Sequence, residues 1–376
     1  MKFLHLSDLH LGKRVSEISM HEDQQYILDE IIKIVGIEKP DAVCIAGDIY
    51  DKSVPSEEAM KLWDEFLKQL VSCRVEVFVS SGNHDSAVRL ADHSGLIESA
   101  GIHISPVYNG EINKYVIKDE FGDVNIYMLP FVKPVHVCKI FPDTEIASYT
   151  DACRVAVEHI GINYDERNVL LAHQFITSAE RSDSEEIVVG GIDNVDVDVF
   201  DGIDYVALGH IHGPQSIGRE TVRYCGTPLK YSLSEKNHTK SVTVVEMGKK
   251  GDVTVRTIEL KPLRDLRVIE GTFDEIVSKE FLEAQNCEDY VHIILKDEDE
   301  IYDAARMLSL KYPNRIGMHY ENTRTKENQV VEVTDEEKNK SELDYLVDLY
   351  EQQNNQPMTD EQRELAIELF NELIGE

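Results

Sequence analysis

Short apolar runs rich in Val, Ile and Leu recur along the first two thirds of the chain, as is typical of strands buried within a sheet. In chain order they read KFLHLS, DAVCIAG, VEVFVSSG, VNIYMLP, NVLLAH and DYVALGH. Between the first two runs, a helical pattern places Ile27, Ile31 and Val35 on one face and stops near Pro40. A second helix, after Pro55, is predicted to bury Met60, Trp63, Phe66, Leu67 and Leu70. This alternation of strands and helices predicts an α/β fold with layered sheets.

The pattern changes twice in the last third of the chain. From about residue 221 the apolar residues alternate with polar ones, which predicts antiparallel strands that complete a first domain, residues 1–263. Residues 264–322 then show strand and helix patterns in the order β-α-β-α-β. We therefore expect a second, small α+β domain there.

The end of the chain is predicted to be a polar linker followed by two helices. The linker covers residues 323–340, and the helices lie within residues 341–376. Thr359 and Gln362 have the spacing of a capping box at the start of the second helix. The apolar stripes of the two helices are Leu343, Leu346, Val347 and Tyr350, and Leu365, Leu369, Phe370 and Leu373. We expect a partner protein to cover these stripes, and packing back onto the small domain is the alternative.

The composition is typical of a soluble protein of two or three domains. The chain has 376 residues, of which 42% are hydrophobic. No apolar run approaches the roughly 18 residues of a membrane span. Asp8 and His10 interrupt the apolar start, which argues against a signal peptide. Six scattered cysteines without a C-x-x-C pair indicate reduced thiols, so we expect a cytoplasmic location.

The formal net charge of −33 argues against unaided binding of nucleic acid, because a polyanion normally requires a basic surface. Divalent cations, however, can reverse the local sign of charge at a site built from carboxylates. The acidity therefore leaves open a nucleic-acid substrate at such a site.

Potential metal ligands follow one predicted strand after another. In an open sheet, the crevice beyond the carboxyl ends of the strands is where ligands bind. In chain order these residues are Asp8 and His10, Asp48 and Asp51, Asn83, His84 and Asp85, His173, and His210 and His212. Such a set suits two divalent cations about 4 Å apart, bridged by one carboxylate. The mixture of imidazole, carboxylate and amide favours Mn²⁺ or Fe²⁺ over Mg²⁺, and the predicted reaction is hydrolysis of a phosphoester.

These motifs carry a family resemblance. The series D-x-H, G-D-x-x-D, G-N-H-D, a separate His and G-H-x-H resembles the calcineurin-like metallophosphoesterase superfamily. HLSDLHLG, GDIYD, GNHDS, DYVALGHIHGPQ and YCGTPLKYSLSE are similar, more narrowly, to the SbcD family, the nuclease subunits of bacterial SbcCD complexes. The resemblance extends from residue 1 to about residue 322, and the terminal helices are consistent with it. It implies a layered sandwich with a capping domain, and activity as a 3′→5′ double-strand exonuclease and single-strand endonuclease in DNA recombination, replication and repair.

The resemblance also implies roles for individual residues. One metal would be held by Asp8, His10, Asp48 and His212, and the other by Asp48, Asn83, His173 and His210. His84 would stabilise charge on the scissile phosphate or protonate the leaving oxygen, with Asp51 as its orienting partner. His173 lies in LLAHQF instead of following a glycine, which departs from the family pattern. The family further implies a homodimer and an SbcC-like ATPase of the SMC type that receives the C-terminal helices.

Basic residues in or beside the motifs are candidate DNA contacts, with an ordinary solvated role as the alternative. They are Lys13, Arg14, Lys52, Arg89 and Lys230. His5 and His93 flank motifs and are expected to make structural hydrogen bonds.

Two other functions are weighed against the nuclease. A phosphomonoesterase of the serine/threonine phosphatase kind would show G-D-x-x-D-R-G and G-N-H-E, from which Lys52 and Asp85 depart. A metal-free scaffold would have no need of the complete ligand set. No G-x-x-x-x-G-K-[ST] occurs in the sequence, so any dependence on ATP must reside on another chain.

Overall fold

The computed structural model describes residues 1–92, 94–185, 193–322, 342–354 and 356–374. His93 and the predicted linker at 323–340 lie outside the described residues. Contacts divide the chain into two compact units, Met1–Leu266 and Arg267–Glu376. The domain boundaries expected from the sequence stay predictions.

Strands and helices alternate through the first unit. Its strands are β1 (Lys2–Leu6), β2 (Arg14–Val15), β3 (Ile18–Ser19), β4 (Ala42–Ala46), β5 (Glu76–Ser80), β6 (Ile102–Ile104), β7 (Lys114–Asp119), β8 (Gly122–Leu129), β9 (Arg167–His173), β10 (Phe175–Ile176), β11 (Asn194–Val195), β12 (Tyr205–Gly209), β13 (Gln215–Ser216), β14 (Val222–Tyr224), β15 (Ser241–Met247) and β16 (Val253–Glu259). Its helices are α1 (His21–Glu38), α2 (Glu57–Ser72), α3 (Ala87–Leu90), α4 (Ser94–Ile97), α5 (Pro134–Ile140) and α6 (Tyr149–Glu158). Short 3₁₀ turns cover Glu98–Ala100, Val197–Phe200 and Leu233–Asn237.

Two six-stranded sheets form the centre of this unit. The first has the order β16-β15-β1-β4-β5-β6, in which β1, β4, β5 and β6 run parallel. The second has the order β13-β14-β12-β9-β8-β7, in which β8, β9, β12 and β14 run parallel. Between the sheets, Phe3 and Phe78 share a buried cluster with Ile126, Leu171 and Tyr205.

Helices complete a four-layer sandwich. The crossovers between the parallel strands β1, β4 and β5 contain α1 and α2, whose buried stripes cover the first sheet. Val137 of α5 and Ala156 of α6 pack with Leu170 and Leu208 of the second sheet. The predicted α/β layered fold is confirmed.

Two local predictions are wrong. Met60 is 45% exposed, because the buried stripe of α2 consists of Ala59, Leu62, Trp63, Phe66 and Leu70. Strand β14, which was predicted to be antiparallel, pairs parallel with β12 and antiparallel only with β13.

A three-stranded sheet of order β17-β18-β19 follows, and its core includes Ile276, Val291, Ile293, Leu308 and Tyr312. The first helical segment of the predicted β-α-β-α-β order is interrupted at Ser278, whose φ of −61° and ψ of 149° are extended. The elements are β17 (Leu266–Gly271), α7 (Phe273–Val277), α8 (Lys279–Glu283), β18 (Tyr290–Leu295), α9 (Ala304–Ser309) and β19 (Arg315–Tyr320).

Two helices, α10 (Glu342–Asn354) and α11 (Asp360–Ile374), end the described chain. The predicted capping box is confirmed: Thr359 N–H donates to Gln362 Oε1 at 3.0 Å, and Gln362 N–H donates to Thr359 Oγ1 at 3.3 Å. Leu349, Leu365 and Leu369 are each at least half exposed. The side chains of Leu343, Phe370 and Leu373 lie outside the described set. No helix in the described ranges is both long and apolar enough to cross a membrane.

Candidate metal centre

Tight turns, not strand pleating, place the first polar residues of the site. Strand β1 ends at Leu6, and Asp8 and His10 beyond it have left-handed φ values of 54° and 45°. Asp48 at 50° and His210 at 102° also have positive φ. Such conformations are costly for residues other than glycine and concentrate at functional sites.

Four buried residues form what we term the first cluster: Asp8, His10, Asp48 and His212. His10 Nε2 lies 3.1 Å from His212 Nε2 and 3.7 Å from Asp48 Oδ2. One carboxylate oxygen of Asp8 lies within 4.8 Å of ligand atoms of both His10 and His212. Oxygen and nitrogen ligands thus converge on one small volume.

Asp48 also belongs to what we term the second cluster: Asp48, Asn83, His173 and His210. His173 Nε2 lies 3.0 Å from Asn83 Oδ1 and 3.3 Å from Asp48 Oδ2, and His210 Nδ1 lies 2.9 Å from the same Asn83 oxygen. His173 Nδ1 lies 2.9 Å from the main-chain oxygen of Ala46, to which it donates, so Nε2 is the nitrogen that faces the cluster. The departure of His173 from the family pattern therefore does not remove it from the site.

Two glycines permit this close packing. A Cβ atom at Gly82 would overlap the carboxylate of Asp48, and one at Gly47 would overlap the ring of His173. Gly47 also has a φ of +80°, which glycine adopts without strain. The glycines of G-D and G-N-H-D thus make room for the ligands themselves.

Burial sets the protonation of the clusters. It raises the pKa of Asp8 to about 6, and it lowers the pKa of His10 and of His210 well below the ordinary histidine value. It also acts to raise the pKa of Asp48, but the neighbouring His173, His10 and His84 outweigh it and hold that pKa well below its usual range. Likewise, the Asp48 carboxylate overcomes burial and raises the pKa of His173 to about 9. The buried carboxylate therefore requires a positive charge beside it, which a proton or a cation can supply.

The donor set fits divalent cations. Among the described residues, His10 Nδ1 and His210 Nε2 are buried without a hydrogen-bond partner. The Nε2 atoms of His10 and His212 face each other, and a hydrogen bond between them would use the lone pair of only one. A bound cation would use the lone pairs of both. Neutral imidazoles, carboxylates and an amide oxygen are the ligands that a cation such as Mn²⁺ accepts.

His84 lies at the edge of both clusters, with its side chain 14% exposed. Its Nδ1 lies 3.0 Å from the main-chain oxygen of Asp51, to which it donates, and its Nε2 lies 3.9 Å from Asp48 Oδ2. Asp51 therefore orients His84 through its carbonyl group, while its carboxylate pairs with Lys13 at 2.8 Å. The orienting role expected of Asp51 stays a prediction.

Two residues support the site in roles that were not predicted from the sequence. The Asp85 carboxylate accepts main-chain N–H groups of Ile49, Tyr50 and Gly82 at 2.9–3.2 Å, which ties the G-D and G-N-H-D turns together. Gln24 Nε2 donates to the main-chain oxygen of His10 at 2.7 Å. Asp85 was noted as a potential ligand because it stands inside a motif, whereas no motif lies near Gln24.

The candidate DNA contacts differ in their availability. Lys230 Nζ donates to the Lys236 carbonyl at 2.8 Å and pairs with Asp265 at 2.9 Å, so its ammonium group already has two partners within the chain. Arg14 donates to the carbonyl of Glu17. Lys52 and Arg89 are exposed. His5 makes the structural bonds expected of it, with Tyr205 at 3.0 Å and the Leu208 carbonyl at 3.2 Å.

Comparisons with known proteins show the family of this chain. Residues 1–214 match the calcineurin-like phosphoesterase family, and residues 262–354 match the SbcD_C family, described as the type 5 capsule protein repressor C-terminal domain. The chain is 34% identical over 322 residues to the SbcD protein of the SbcCD nuclease of Staphylococcus saprophyticus, covering 85% of this chain and 84% of that protein. The SbcD protein of Staphylococcus epidermidis is also 34% identical over 322 residues, covering 85% of each chain.

A crystal structure of a dimetal phosphatase from Danio rerio is a more distant match. It is 12% identical, covers 69% of this chain and 96% of its own, and has a TM-score of 0.38. The two staphylococcal SbcD proteins have a higher identity, 34%, and cover 85% of this chain. The chain therefore belongs to the calcineurin-like phosphoesterases and, within them, to the SbcD family of metal-dependent nucleases.

Proposed function

We propose that this chain hydrolyses phosphodiester bonds in DNA with two Mn²⁺ ions, as a 3′→5′ double-strand exonuclease and a single-strand endonuclease. One observation carries the two-metal part of the proposal. Asp48 Oδ2 lies between the clusters, 3.7 Å from His10 Nε2 and 3.3 Å from His173 Nε2, where a bridging carboxylate is required.

In this proposal each cluster holds one cation, and Asp48 is shared. The cations would supply Lewis acidity that activates water and neutralises charge on the phosphate. The residues themselves fix the ligand atoms before substrate arrives, because the clusters are buried and His173 is oriented by the Ala46 carbonyl.

His84 is proposed to hold the proton that the leaving oxygen requires. The Asp51 carbonyl binds Nδ1, so Nε2 is the atom that faces the substrate. Its ring is partly exposed, unlike those of the cluster histidines, which suits a group that contacts substrate.

The C-terminal helices are proposed to dock onto an SbcC-like ATPase of the SMC type. Leu349, Leu365 and Leu369 expose apolar surface on short helices, which normally bind a groove through such a face. The relatives are named as components of SbcCD, and the net charge of −33 favours a partner that brings DNA to the site. We further propose a homodimer, which multi-angle light scattering would test.

The purified chain should be assayed with Mn²⁺ on DNA and on a phosphomonoester side by side. Cleavage of DNA with little release of phosphate from the monoester supports the proposal. Preference for the monoester would favour the alternative, a phosphomonoesterase. Strands labelled at the 3′ or the 5′ end would establish the polarity of cleavage.

A further inference from the structure

His212 depends on residues that are distant from it in sequence. Its Nε2 faces His10 in the first cluster, so Nδ1 is the nitrogen that points away from the metal position. That Nδ1 lies 2.6 Å from Ser184 Oγ and 3.5 Å from Glu235 Oε1. Ser184 Oγ lies 2.6 Å from the same Glu235 oxygen.

The direction of these hydrogen bonds follows from the chemistry of a carboxylate. Glu235 is fully buried and is surrounded by donors, namely Lys240 Nζ at 2.5 Å, Tyr231 N–H at 3.2 Å and Thr227 Oγ1 at 3.3 Å. A carboxylate in such a setting only accepts, so Ser184 gives its single hydroxyl proton to Glu235. The hydroxyl can then only accept from His212, which places the ring proton on Nδ1 and leaves the Nε2 lone pair toward the first cluster.

Lys240 holds the main chain of the same histidine. Its Nζ donates to the His212 carbonyl at 2.9 Å and to Thr227 Oγ1 at 2.7 Å, as well as to Glu235. The buried pair Glu235 and Lys240 thus fixes both the ring and the backbone of His212.

We propose that Glu235 is a positioning residue that acts through Ser184 to keep His212 in the tautomer that binds metal. This inference rests on the proposed two-metal function and assigns Glu235 to the first cluster alone. Loss of an outer partner of a ligating histidine lowers metal affinity by about 10- to 100-fold. The affinity of the second cluster should stay unchanged, because Glu235 makes no described contact with it.

The test measures Mn²⁺ binding to the full chain by isothermal titration calorimetry, on wild type and Glu235→Gln. The matched control is Asp204→Asn, which also removes a buried carboxylate. The Asp204 carboxylate accepts from Lys250 Nζ at 2.8 Å and from the main-chain N–H of Asn168 at 2.8 Å. We expect Glu235→Gln to weaken one of two sites by about 10- to 100-fold, and Asp204→Asn to retain both.

Wild-type affinity at both sites of Glu235→Gln would overturn the inference, and so would an equal loss in the two variants. If Glu235→Gln does not fold, Ser184→Ala and Ser184→Thr replace it, because they leave the pair with Lys240 in place. Weakening in Ser184→Ala that Ser184→Thr restores supports the relay, and unchanged affinity in both overturns it. Failure of wild type to bind two Mn²⁺ ions would instead refute the proposed function itself.

Discussion

Replacement of His84 should separate the chemical step from metal binding. His84 is held by the Asp51 carbonyl at 3.0 Å, and the two clusters are complete without it. A positioned general acid contributes roughly 10²- to 10⁴-fold to rate. At about 1.36 kcal/mol per tenfold, His84→Ala should therefore lose about 2.7 to 5.4 kcal/mol of transition-state stabilisation on DNA. Its Mn²⁺ content should equal that of wild type.

Two substrates with different leaving groups test whether His84 donates the proton. Cleavage of DNA expels a sugar alkoxide, which requires a proton, whereas bis(4-nitrophenyl) phosphate expels a stable phenolate. The rate of His84→Ala at saturating Mn²⁺ should fall steeply on DNA and little on the nitrophenyl diester. His159→Ala is the control, because that ring packs on Phe141 and donates to the Val155 carbonyl, on helix α6 away from both clusters.

Equal losses on the two substrates would refute the assignment of His84 as the acid. His84, His10 and Asp48 also offer ligand atoms within 4.8 Å of one another. Loss of one Mn²⁺ per chain in His84→Ala would therefore show that the residue is a ligand instead.

Three further outcomes are expected. Asp48→Ala should abolish Mn²⁺-dependent cleavage and reduce bound Mn²⁺ below two per chain while far-UV circular dichroism stays unchanged, and near-normal turnover would contradict the assignment of Asp48 as the shared carboxylate. Burial lowers the pKa of His5 from 6.5 to about 3, so below pH 6.5 the unfolded chain binds a proton at His5 that the folded chain does not. His5 alone should therefore lower the free energy of unfolding by about 1.4 kcal/mol for each pH unit between 6.5 and 3, and urea titrations of His5→Gln should show a slope shallower by that amount, whereas equal slopes would refute this. Truncation before Ser341 should keep Mn²⁺-dependent cleavage of short single strands but eliminate association with the ATPase, and co-purification at wild-type affinity would contradict docking by the helices.

The layered fold could be predicted because its strands are apolar on both faces. Phe3, Cys44 and Val169 are fully buried, and a polar residue at such positions would have obscured the strand pattern. The buried face of a helix was harder to predict, because exposed Met60 and buried Ala59 are adjacent residues in α2. Hydrophobicity alone does not distinguish adjacent positions at the edge of a helical stripe.

The candidate ligands could be picked out because each lies at the end of a strand or within a few residues of it. Their outer partners could not, since Glu235 and Lys240 are charged residues that composition assigns to the surface by default. The fold brings them beside His212, and their mutual pairing, together with hydrogen bonds to neighbouring groups, makes their burial tolerable. The fold likewise pairs Lys230, a candidate DNA contact, with Asp265 of the same unit, and the sequence alone did not show this ion pair.

Diffraction from crystals soaked in Mn²⁺, with data collected at the manganese absorption edge, tests the two-metal centre most directly. We expect two anomalous peaks about 4 Å apart, with Asp48 between them. One should lie among Asp8, His10 and His212, and the other among Asn83, His173 and His210. A single peak, or two peaks that do not share Asp48, would contradict the two-metal centre.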